Sequence, residues 1–261
     1  MSELSLLPAS MYASLALLPS PDTPVILLTR HSVRELGKGL GLASNELQLT
    51  EQGRLLAYHW GKYLNENTRR DMGLSVSSPI QRCLDTAVLM HWGAMQNAYP
   101  SFEEQCQQFE QLSDQTTRHH LLVEPGSFVL DHAVASPYFK SLGAVNFIDA
   151  FVKNQLQGMK HPVEGVLDIL QYLFQVYGEM CDSQPRQNLK VMVSHDTILS
   201  AILAVISQQF SMDTVRWPEM MEGILLWFEP HDDFARSELF WLWRGQQHRM
   251  AISQLIKSKQ Y

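Results

Sequence analysis

Six side chains able to move a phosphoryl group stand at three points in the chain, each just after an apolar run. Arg30, His31 and Arg34 follow "VILLT" (25–29), Arg82 follows "LSVSSP" (74–79), and His195 and Asp196 follow "LKVMVS" (189–194). A neutral imidazole nitrogen attacks phosphorus well when a hydrogen bond holds the other ring nitrogen. The phosphoryl in flight spreads charge over three oxygens, and planar guanidinium forks match that geometry. A carboxylic acid must still protonate the leaving oxygen, and Asp196 stands next to His195. The formal net charge is −7, so a local knot of arginines points to a bound anion.

Something must bring the three points together. Continuous apolar strands alternating with helices predict an α/β sheet covered on both faces, a three-layer α/β/α sandwich with a mostly parallel central sheet. Ligands then collect at the carboxyl ends of the strands, where all three junctions would meet. Ser78 is expected to cap a helix with Pro79 in its first turn, placing Arg82 one turn in, near the positive end of the helix dipole. "LTEQGRLLAYHWGKYLNE" (49–66) reads as an amphipathic helix capped by Thr50. Residues 99–120 are polar, with a Ser101/Glu104 capping pattern. Further helical periodicity runs over about 143–158 and 163–180. "GILLWFEP" and "SELFWLWRG" predict an antiparallel hairpin. The organisation expected is one domain over 1–261, with a core of 24–90 and 188–261 and a helical insertion or lid over about 91–187.

Composition excludes several function classes. With 45% hydrophobic and 18% charged residues, the 261-residue chain reads as an ordinary globular protein. Its acidic balance argues against nucleic acid or an anionic membrane as partner, and no apolar run approaches the length of a membrane span. Three scattered cysteines (Cys83, Cys106, Cys181) fit reduced thiols in a cytoplasmic protein. The first 24 residues lack a basic start and are broken by prolines, unlike a signal peptide. His119, His120, His161, His231 and His248 lack the spacing of a zinc site, so no metal or other cofactor is expected. Trp227, Trp241 and Trp243 in the hairpin read as core packing.

"TRHSVRE", "LTEQGRLLAYHWGKYL", "SSPIQRCLDTA" and "VMVSHDTIL", in this order, resemble the signature segments of the histidine phosphatase superfamily, which holds the phosphoglycerate-mutase-like enzymes and the histidine acid phosphatases. The resemblance covers roughly 24–90 and 188–230. It implies a phosphoglycerate-mutase-like fold and hydrolysis of a small phosphate monoester without metal. His31 would be the phosphorylated nucleophile. Arg30, Arg34 and Arg82 would bind the phosphoryl oxygens, and His195 would complete the pocket. The His-Asp pair is similar to that of the acid-phosphatase branch, making Asp196 the expected proton donor. In the mutase-like branch the donor is a Glu between the second Arg segment and the second His, and Glu124 is the candidate.

The chain departs from the pattern at Ser32, where the family usually has Gly, and at Leu36, where the acid-phosphatase branch usually has Pro. Ser32 either alters the turn or adds its hydroxyl to the phosphate pocket. Two other activities fit the resemblance: a mutase-like phosphotransfer to a sugar acid, and a non-catalytic member that binds a phosphorylated ligand. Each residue also has a plainer reading. The His31 cluster would serve as a surface cap on a strand end, and Asp196 as an ordinary helix N-cap.

Overall fold

A computed structural model describes residues 7–36, 47–99, 110–183, 187–230 and 232–258, apart from the side chains of Glu124 and Pro125. Ser101, Glu104, Cys106 and His231 lie outside the described residues. The sheet grows from its most apolar segments. β1 (Val25–Arg30) and β4 (Leu189–Ser194) are parallel neighbours at its centre, and residues 25–28 and 191–193 are buried throughout. Burial on both faces is why these strands read as unbroken apolar runs.

β2 (Val76–Ser77) lies parallel to β4, with β3 (Thr117–Arg118) parallel beyond it. On the other side β5 (Gly223–Glu229) runs antiparallel to β1, followed by β6 (Glu238–Trp243) and β7 (Gln246–Ala251), also antiparallel. The described strands therefore take the order β3-β2-β4-β1-β5-β6-β7, a mixed sheet whose central strands are parallel. The hairpin read from sequence is β5–β6. β7 and the two-residue β3 were not read: "QQHRMA" is mostly polar and "TR" is exposed.

Helices cover both faces. α1 (Ala9–Leu15) packs on β6 and β7. α2 (Glu51–Thr68) lies along α3 (Gln81–Ala94), which packs on β2 and β4. Thr50 caps α2 as expected, accepting from the Gly53 amide at 3.0 Å. The contact between α2 and α3 requires Gly61, since a side-chain carbon there would overlap the Met90 carbonyl.

The short α4 (Glu124–Ser127) precedes α5 (His132–Val152), which breaks at Gly143 with φ of 71°, and α6 (Pro162–Asp182). α6 falls within the expected insertion of about 91–187, yet it packs on β1 and β5, where Phe174 and Tyr177 meet Phe228. α7 (Asp196–Ile206) sits between α5 and α6, with α8 (Met212–Val215) beyond it and α9 (Ile252–Ser258) against α6. Trp227 and Trp241 are buried in the core, as expected. Among the described residues, no helix is long and apolar enough to cross a membrane.

Candidate active site

Strand register delivers the site. Arg30 pairs with Ser194 and Ser77 with Val193, so the parallel strands β1, β2 and β4 end at one level. The backbone continues that pairing by one step: His31 N donates to Ser194 O (3.0 Å) and Ser78 N to Val193 O (2.8 Å). His31, Ser78 and His195 therefore leave the sheet side by side. β5, running the other way, brings its first residues to the same edge, where Arg30 N donates to Glu222 O (3.0 Å).

The two imidazoles meet edge to face with ring centres 5.7 Å apart, and Arg82 bridges them. His31 Nδ1 lies 2.8 Å from Ser32 O, and Arg82 Nε donates to His31 Nε2 at 3.0 Å. A carbonyl only accepts and a guanidinium only donates, so the His31 proton sits on Nδ1 and its lone pair on Nε2. Arg82 Nη2 lies 3.4 Å from His195 Nδ1, while His195 Nε2 meets Ser78 Oγ at 2.9 Å. The same logic puts the His195 proton on Nε2. Cys83 Sγ lies against that ring, 3.6 Å from Nε2.

Burial lowers the pKa of both histidines, and the neighbouring cations lower it further. His31 is pushed well below the usual histidine value, first by desolvation and then by His195 and Arg82. His195 is pushed down to about 3, by desolvation and then by Arg82, Arg30 and Arg34. Both imidazoles are therefore neutral around pH 7, the state a nucleophile needs. An unfolded histidine takes up its proton near pH 6.5. Below that pH the unfolded chain binds protons that the folded chain refuses, so stability falls with falling pH. The slope is on the order of 1 kcal/mol per pH unit for each histidine. Thermal melts should show the melting temperature dropping from pH 6.5 toward pH 4, less steeply in His195→Gln. Equal slopes in the two proteins would contradict this.

Arg30 is committed on two sides. Nη1 donates to Pro218 O (2.7 Å), and Nη2 pairs with Asp196 Oδ2 at 2.5 Å. Among the described residues its buried Nε has no acceptor, an open donor that suits an oxyanion. Arg34 makes no hydrogen bond to this cluster. It donates to Glu35 O at 2.9 Å and is half-buried, while its charge still lowers the pKa of Arg30 and His195.

Several expectations need correcting. Ser78 and Pro79 precede α3 instead of starting it; Ile80 holds the cap position, and Arg82 is the second helical residue rather than one turn in. The Ser78 hydroxyl meets His195 at 2.9 Å and also accepts from Ile80 N at 3.4 Å, just ahead of the helix. Asp196 is the first residue of α7, with His195 at the cap, so it does not act as N-cap. The Ser32 hydroxyl does not join the phosphate pocket: it donates to Gly53 O on α2 (2.7 Å), while Ser32 N donates to Thr86 Oγ1 (3.0 Å). The turn fits because Gly53 has no side chain, as a carbon there would overlap the Val33 carbonyl. Ser32 thus ties the turn to α2 and α3.

Glu124 begins α4, two residues after Leu122, whose carbonyl accepts the Ser194 hydroxyl at 2.8 Å; its side chain lies outside the described residues. Thr86 was legible in principle, four residues after Arg82 on the same face of α3. Trp217, whose indole N–H donates to Asp196 Oδ2 (3.2 Å), and Pro218 carried no local signal. Among the described residues, no three His, Cys, Asp or Glu side chains cluster as metal ligands would.

No protein-family model and no curated protein matches the chain. Its structure is similar to one described as mycobacterial hydrolase 2, with TM-score 0.55 and 16% identity, over 91% of this chain and 97% of that one. It is also similar to a mycobacterial glucosyl-3-phosphoglycerate phosphatase solved with VO3, with TM-score 0.53 and 16% identity, over 85% and 100% of the two chains. The chain has the histidine-phosphatase fold. Within that fold, the residues gathered at the strand ends are His31, Arg30, Arg82, His195 and Asp196, with Arg34 at the periphery.

Proposed function

We propose that the protein is a metal-independent phosphomonoesterase acting through a phosphohistidine on His31. The observation that carries this is the His31 Nδ1 contact with Ser32 O, which leaves the Nε2 lone pair directed at the arginine-rich pocket. Arg82, the open Nε of Arg30 and Arg34 would take the phosphoryl oxygens, and His195, held by Arg82 at Nδ1 and by Ser78 at Nε2, would complete the pocket. Arg82 covers the Nε2 lone pair, and a phosphoryl group would draw that guanidinium onto its own oxygens as it reaches His31.

In the first step Nε2 bonds to phosphorus and the P–O bond to the leaving group breaks, with the Asp196 proton passing to the departing oxygen. In the second, Asp196 takes a proton from water, the water oxygen bonds to phosphorus, and the P–N bond breaks. His31 returns neutral and phosphate leaves. Three guanidinium groups supply the positive charge that a metal supplies elsewhere. The substrate is expected to be a small phosphate monoester.

Phosphate release from an aryl phosphate should persist in excess EDTA, and loss of activity with EDTA would sink the metal-independent mechanism. On an alkyl phosphate, whose leaving oxygen needs a proton, Asp196→Asn should lose about 10²–10⁴ in kcat, the usual value of a general acid. Glu124→Gln should change little. The reverse pattern would make Glu124 the donor.

A further inference from the structure

The segment 216–222 reaches the site from the antiparallel side of the sheet and spends its polar groups there. Trp217 Nε1 donates to Asp196 Oδ2 (3.2 Å), Pro218 O accepts from Arg30 Nη1 (2.7 Å), and Met221 N donates to His31 O (3.4 Å). The segment is itself held from behind. The buried Glu222 carboxylate accepts from Arg244 Nε and Nη2 (both 2.8 Å), Ser10 Oγ (2.7 Å) and Glu219 N (3.0 Å). Arg244 Nη2 also donates to Trp217 O at 3.2 Å. One charged anchor therefore fixes the backbone that carries the indole.

The Asp196 carboxylate shows what the indole is for. Oδ2 meets two donors, Arg30 Nη2 and Trp217 Nε1, which occupy both its lone pairs. Among the described residues Oδ1 meets one, the Thr197 amide at 2.9 Å, and keeps a lone pair open. A transferable proton therefore belongs on Oδ1. Arg30 can offer its open Nε to the phosphoryl group while Nη2 stays on Asp196, so its hold on the carboxylate is coupled to the substrate. The indole N–H is neutral, donor-only and tied to the Glu222–Arg244 anchor, so its place does not depend on the substrate.

We propose that Trp217 is the positioning residue for the proton donor: its N–H, with the Thr197 amide, holds the Asp196 carboxyl so that Oδ1 faces the leaving oxygen. This rests on the reading of Asp196 as donor. A misdirected acid adds a loss on leaving groups that need a proton, beyond any loss in the water step that all substrates share, so leaving-group dependence separates orientation from general damage.

Trp217→Phe keeps the ring and removes the N–H. Its kcat on an alkyl phosphate should fall on the order of 10- to 100-fold, the cost of a misplaced reacting group. Its kcat on nitrophenyl phosphate should fall less, limited to the water step that both substrates share, and its inhibition by inorganic phosphate should stay near wild type. Asp196→Asn should show the same split, losing more on the alkyl phosphate than on nitrophenyl phosphate beyond the water-step loss common to both, and the double variant should be no slower than Asp196→Asn alone, since the two act as a unit. Benzothienylalanine at position 217, which replaces only the N–H by sulfur, should reproduce the effect even if Phe disturbs packing. Should Asp196→Asn show the split while both position-217 variants treat the two substrates alike, Trp217 does not position the donor and the donor reading stands. Absence of any split in Asp196→Asn would overturn both.

Discussion

His31→Ala is expected to lose about 10³-fold or more in kcat, the scale seen when a covalent nucleophile is removed. The reason is geometric. His31 Nε2 is a neutral lone pair whose tautomer is set by the Nδ1 contact with Ser32 O, while His195 and Ser78 at the same edge are paired with each other at 2.9 Å. Cys83 is close to His195, but its sulfur is buried behind that ring. Binding should survive the change, because the arginines remain. Inorganic phosphate should still raise the melting temperature of His31→Ala. A variant that turns over within about threefold of wild type would remove His31 from the mechanism, a margin far inside the predicted loss.

Arg82→Ala is expected to be the next most damaging, with a loss of about 10²–10³ in kcat, the usual cost of deleting a donor to a developing oxyanion. Arg82 meets both imidazoles, through Nε at His31 and Nη2 at His195. Its removal takes away a charge that holds both pKa values down, so His31 and His195 should move back toward ordinary histidine values. The sign follows: protonated His31 cannot attack, so the acid limb of the pH–rate profile should shift to higher pH in Arg82→Ala. Arg82→Lys should recover little, since an ammonium cannot hold both rings and a phosphoryl oxygen with a planar fork. An unshifted acid limb, or a loss below about fivefold, would contradict this placement of Arg82.

What could be read from the sequence depended on how far apart the interacting groups lie. β1 and β4 were legible because they are buried on both faces, and the helix over 51–68 because Thr50 announces its start. The residues at the strand ends were legible as chemistry because their types are rare in such places. Side-chain direction was not. Ser32 looked like a phosphate ligand beside His31, but Gly53 on α2, 21 residues away, takes its hydroxyl. Ser78 looked like a helix cap until Val193 pairing brought it beside His195. Trp217 lies 21 residues from Asp196, and only the antiparallel placement of β5 joins them. β7 was invisible because a polar edge strand has no apolar signal.

The central claim is that the phosphoryl group passes through His31. Rapid mixing with a ³²P-labelled phosphate monoester, followed by denaturing quench, tests it most directly. A phosphohistidine intermediate predicts labelled protein that is stable in alkali and labile in acid, as a phosphoramidate is, with the label mapping to a peptide containing His31 and absent from His31→Ala. Turnover at the wild-type rate with no labelled protein at any quench time, or label on another residue, would contradict it.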